Sequence, residues 1–224
     1  MTIQWPASLV PAKCNPSLRN FTTSGGRSMT GREQRVYSDA GYWSIDMQRI
    51  AVKGRAERYA YTAMLNRLRQ GEDVIVPIFD LYAAVGAANN GSTAAVAAAA
   101  LLRATSLSIT VSGLDVQAGV RFSIADRLYE ISEVVSGPAS PPLENQLTSD
   151  SPWADDQPWT DTVNATGTYV VKILPPLRAP VAVGNQINFS APELRCIPAD
   201  PGDGDLDLEI GRYGFPSITF IEVI

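Results

Sequence analysis

The stretch LSITVSGLDVQAGVRFSIADRLYEISEVV, residues 107–135, decides the fold class. It contains three short strand-like runs, 107–111, 120–124 and 128–135, and turn residues at Ser112-Gly113 and Gly119 punctuate it. Runs of this length rich in Val, Ile, Phe and Tyr suit a pleated, half-buried surface, whereas a helix needs a longer stretch at 3.6-residue period. Further runs of the same kind follow at 168–174, 186–190, 194–197, 206–210 and 217–223, with Gly184-Asn185 and Gly214 as further turn signals. Upstream, 73–80 reads as a strand, VIVPIF at its centre, whose Pro77 favours an edge or a bulge. Residues 28–37 and 42–50 flank Ser38-Asp39-Ala40-Gly41 and read as a β-hairpin. One helix stands out: Gly54 and Gly71 bracket a segment in which Tyr61, Met64, Leu65 and Leu68 fall at i, i+3, i+4 and i+7. Many short strands with a single helix predict a mainly β protein, a sandwich or barrel with that helix, about 54–70, on its flank.

The domain reading is an extended N-terminal arm over 1–26, where Pro6, Pro11 and Pro16 precede Thr22-Thr23-Ser24-Gly25-Gly26, and a β-rich body over 27–224. Two insertions interrupt the body. The first, 83–104, is alanine-rich, and its tail reads either as a short helix capped by Ser92 or as a small-residue loop. The second, 136–164, holds five prolines, two tryptophans and five acids without a lysine or arginine, a composition and length typical of a binding or mobile loop. A division of the body into two lobes near residue 112 is the alternative.

Composition excludes several classes of chemistry. The 224 residues include no histidine, so a serine or cysteine nucleophile has no imidazole base. Cys14 and Cys196 stand far apart, without the paired spacing of zinc sites, and are expected to be buried free thiols. No Walker lysine and no dinucleotide glycine spacing occurs around Gly25-Gly26 or Gly113–Gly119. The sequence gives no reason to expect an enzyme or a cofactor. The longest apolar run, 94–102, is nine residues, and the first residues lack a basic segment leading into an apolar one, so neither a membrane span nor a signal peptide is expected.

Charge is unevenly placed. Residues 1–70 carry 11 basic and 4 acidic side chains, net +7, and residues 71–224 carry 7 and 19, net −12. Such polarity is either a folded dipole or a pair of surfaces that meet between copies. The arginines are scattered rather than interleaved with aromatics, which argues against a sequence-reading nucleic-acid module. Asp203, Asp205, Asp207 and Glu209 alternate with Gly204, Leu206, Leu208 and Ile210, so on a strand the four carboxylates share one face. A calcium loop is excluded, because Leu208 and Gly214 stand where that loop needs glycine and glutamate. The readings left are a solvated acidic face, a pore lining, or a contact for a basic partner. Trp153 and Trp159 in SPWADDQPWT either pin their loop to protein or, with Asp155 and Asp156, stack on and hydrogen-bond a sugar.

Three stretches together, FTTSGGRSMTGREQRVYSDAGYWSIDM (21–47), GVRFSIADRLYEISEV (119–134) and YVVKILPPLRAPVAVGNQINFSAPELRCI (169–197), resemble minor tail proteins of long-tailed bacteriophages. The resemblance spans about two thirds of the chain and is one of texture and order; 83–104 and 136–164 fall outside it. It implies a distal-tail or baseplate-ring subunit with a tail-tube-like core, six copies closing around a channel. Other tail proteins are then its partners, DNA only its passing cargo, and the virion tail, assembled in the bacterial host cytoplasm, its location. In that setting Asp203, Asp205, Asp207 and Glu209 would line the channel or meet a neighbour. The alternative is a carbohydrate-binding module built on Trp153 and Trp159.

Overall fold

The computed structural model describes residues 2–27, 29–31, 33–79, 92–138, 166–200, 202–206 and 213–223. The chain forms β1 (Thr2–Gln4), β2 (Pro11–Arg27), β3 (Glu33–Ile50), α1 (Arg55–Arg69), β4 (Asp73–Pro77), β5 (Thr93–Val96), β6 (Ser106–Ser112), β7 (Arg121–Ile124), β8 (Arg127–Ser136), β9 (Gly167–Leu174), β10 (Ile187–Asn188), β11 (Glu193–Pro198) and β12 (Ile218–Glu222). The protein is mainly β with one helix, as the run lengths predict.

The strands divide into two six-stranded sheets, ordered β1-β4-β11-β12-β3-β2 and β10-β7-β8-β9-β6-β5. In the first, only β1 and β4 run parallel. Helix α1 covers this sheet. Its Tyr61, Met64, Leu65 and Leu68 are buried with Trp43, Ile45, Val76 and Phe220 in a single core, as the i, i+3, i+4, i+7 spacing requires. The helix start is braced by the Glu57 carboxylate, which accepts the main-chain N–H groups of Lys53 at 2.6 Å and Gly54 at 3.1 Å.

The second sheet nearly closes into a barrel. Its end strands β5 and β10 meet through Val96 N–H to Asn185 C=O and Gly184 N–H to Val96 C=O, both 2.9 Å. Alternate residues, Leu107, Ile109 and Val111 on β6 and Tyr169, Val171 and Ile173 on β9, point into its own buried core. Closure removes two open strand edges.

Four expectations change. The first 26 residues are strands of the first sheet: Ile3, Trp5 and Leu9 are buried, and the Trp5 indole donates to the Leu9 carbonyl at 2.7 Å. These large apolar side chains outweigh the prolines, and Pro11 and Pro16 are accommodated because β2 is the edge strand. Residues 38–41 are no hairpin turn; they lie within the continuous strand β3, whose partner is β2. The described part of 83–104 is the strand β5 followed by a bend and a turn, with Ala94 and Val96 facing the barrel core instead of forming a capped helix. Cys196 is buried but Cys14 only half-buried, and both are free. The body does contain two separate cores, one per sheet. Residues 80–91 and 139–165 lie outside the described residues.

Candidate functional site

The β2–β3 pair has a long reach. Its register runs from Pro11↔Ile50 to Arg27↔Glu33, yet the next strand, β12, accompanies β3 only over residues 44–47. Beyond Arg19↔Tyr42 the pair therefore continues as a two-stranded ribbon, with no third strand among the described residues. The seven residues of β2 beyond Asn20, at 3.3 Å each, extend it by about 23 Å. A register shift between Arg19 and Phe21 marks its base. There Gly41 approaches β2 so closely that a Cβ on it would lie 2.6 Å from Asn20 Oδ1 and 3.0 Å from the Arg19 carbonyl oxygen. A bulge at this point bends and re-aims the strands that follow it. Near the far end, Met29 is fully exposed.

An isolated two-stranded ribbon is marginal in water, and a strand edge with no neighbouring strand is a place where a further strand can add. Sequence reasoning missed this feature. The signal available was the lack of proline between Pro16 and Ile50 together with Gly25, Gly26 and Gly31 grouped at its middle, where Gly26 and Gly31 adopt positive φ of 87° and 78°.

The described acidic residues of this run, Asp203 and Asp205, do not lie on a strand. Residues 202–204 form a turn with Gly204 at φ 82°, a conformation that breaks strand alternation. The Asp203 carboxylate accepts the Thr219 N–H at 3.1 Å. Asp205 pairs with Arg69 at the end of α1 at 2.5 Å, and the buried Tyr61 hydroxyl donates to the Gly204 carbonyl at 2.6 Å. Burial raises the Tyr61 hydroxyl far above its ordinary pKa, which keeps it a donor. The first half of the acidic run is thus a loop tied to its own helix and sheet. Asp207, Glu209, Trp153 and Trp159 lie outside the described residues. Among the described residues no group of carboxylates and thiols is arranged to hold a metal ion, and no helix is long and apolar enough to cross a membrane.

A buried carboxylate lies where sheet and barrel meet. Glu222 on β12 is 5% exposed; its Oε2 accepts the Trp43 N–H at 3.1 Å, and its Oε1 lies 3.5 Å from Arg127 Nη1, an ion pair too long for a good hydrogen bond. Arg178 acts on its charge from the chain after β9, and its field is felt by Tyr129 on β8 and Cys196 on β11. Desolvation outweighs the two guanidinium groups and the Trp43 N–H, so the carboxyl pKa is raised. In the folded protein the proton is therefore held more tightly than in the unfolded chain, and stability falls as pH rises from the ordinary value of 4.5 through the raised one. Urea midpoints measured across mildly acidic to neutral pH should show this decline in the wild type, and Glu222→Gln should flatten it; an unchanged slope would assign the decline to other groups.

No protein-family model matches the chain, and no curated protein matches it.

Proposed function

We propose that this protein is a structural subunit of a closed homo-oligomeric ring at the distal tail or baseplate of a long-tailed bacteriophage. The observation that carries the reading is the β2–β3 ribbon, whose open edges call for strands supplied by another chain. In a ring of identical copies each subunit gives one surface and receives another, so the ribbon of one copy meets a different face of the next. The residues that resemble minor tail proteins, 21–47, run through this ribbon and into the sheet. The split of net charge, +7 over residues 1–70 and −12 over 71–224, supplies complementary faces for such heterologous contacts.

On this reading the copies number six, the partners are other tail proteins, DNA passes through the channel as cargo, and the chain performs no catalysis. The acidic segment supports a channel lining only through Asp207 and Glu209, because the Asp203 carboxylate is engaged by the main chain of β12 and Asp205 pairs with Arg69. Light scattering of the purified protein over a range of concentration and salt should give a closed oligomer near six copies, or salt-sensitive stacks of it. A monomer at every concentration, without rings by electron microscopy, would reject the reading.

A further inference from the structure

Sheet and barrel each bury a separate core, and Leu128 is the one barrel residue that enters the core of the sheet. What joins them is otherwise polar. Arg195 N–H of the sheet donates to the Asp126 carbonyl at 2.8 Å, and the Trp43 indole donates to the Leu128 carbonyl at 2.9 Å. In the other direction, Arg127 donates to the Val223 carbonyl at 3.1 Å, and Arg178 donates to the Gly41 carbonyl. Glu222 sits among these groups, the sole carboxylate within the core-side part of the contact.

The barrel's contribution comes chiefly from the β7–β8 turn, Ala125-Asp126, and the first two residues of β8, Arg127 and Leu128. Ala125 there has φ 51°, the left-handed conformation that a two-residue hairpin turn calls for. Among the described residues the chain passes from barrel to sheet through residues 188–193. Polar contacts between separately cored layers are the kind that permit relative motion, and a buried ion pair contributes more to orientation than to net stability.

We infer that the junction is a latched hinge: Glu222 pairs with Arg127 of the barrel, and loss of that latch lets the barrel move against the sheet while both layers stay folded. The inference is independent of the assembly reading, since it concerns contacts within one chain.

Hydrogen exchange of the full chain tests it. Glu222→Gln keeps an oxygen for the Trp43 N–H but removes the charge. Exchange of the Arg195 amide and the Trp43 indole, both bonded across the junction, should rise on the order of tenfold or more. The amides of Ile131 and Ile173 inside the barrel, and of Trp5 inside the sheet, should keep their wild-type rates. Arg127→Gln, which opens the latch from the barrel side, should give the same pattern and serves if Glu222→Gln does not fold. A uniform rise at all five sites would make Glu222 a general stabiliser and overturn the hinge, as would unchanged exchange at the junction in both variants.

Discussion

If the proposed ring forms through the β2–β3 ribbon, deleting residues 21–40 should leave a folded monomer. Arg19 and Tyr42 are register partners, so the deletion leaves them joined by Asn20-Gly41. Asn-Gly is the preferred two-residue sequence for a tight hairpin, because both positions adopt positive φ at little cost. The shortened hairpin then ends where β3 loses its β12 neighbour, and none of the core residues described above is removed. Gly41 stays in place to accept from Arg178. Thermal stability should stay within about 1 kcal/mol of wild type, as expected when a segment outside the two sheets' shared registers is lost. Mass by light scattering should fall from the closed oligomer to a single chain. A variant that still assembles would mean that the ribbon edges are not what joins the copies, and attention would pass to the charged faces.

Trp43→Ala should produce the largest loss of stability available from one side chain. Trp43 is 1% exposed. It packs in the sheet core, stands against the Arg121 guanidinium at 5.9 Å, and bonds the Leu128 carbonyl through its indole. Truncation opens a cavity and leaves that carbonyl without its donor, together costing about 4 kcal/mol. Against a total stability of about 5–15 kcal/mol for a typical domain, this is enough to shift the urea midpoint far down. Trp43→Phe fills most of the volume without the N–H and should fall between the two. Equal midpoints for Phe and Ala would show that the hydrogen bond to Leu128, rather than packing, dominates.

The helix and most strands were legible because each is decided by a short-range pattern. The spacing of Tyr61, Met64, Leu65 and Leu68 leaves one face to bury, and the structure buries that face. The strand runs at 107–111, 128–135, 168–174 and 194–197 correspond to β6, β8, β9 and β11. Three local signals were overruled by tertiary packing. Proline content suggested an arm, but Ile3, Trp5 and Leu9 gain more by entering the core. Asp39-Ala40-Gly41 has turn chemistry, yet pairing with β2 draws it into a bulged strand. Alternation at Asp203–Asp205 promised a strand, but the Arg69 and Tyr61 contacts hold a turn there.

By itself, then, the sequence determined the fold class, the position of the helix and the lack of an imidazole for acid–base chemistry. These depend on residue type and on periods of two or 3.6, which neighbouring positions set without reference to the rest of the chain. Only the tertiary structure decided that the strands sort into an open sheet and a nearly closed barrel, that β2 and β3 outrun their neighbours as a ribbon, and that Glu222 meets Arg127 across 95 positions of sequence. Strand partners and buried charge pairs are chosen by which distant segments bury area together, and no local pattern carries that choice.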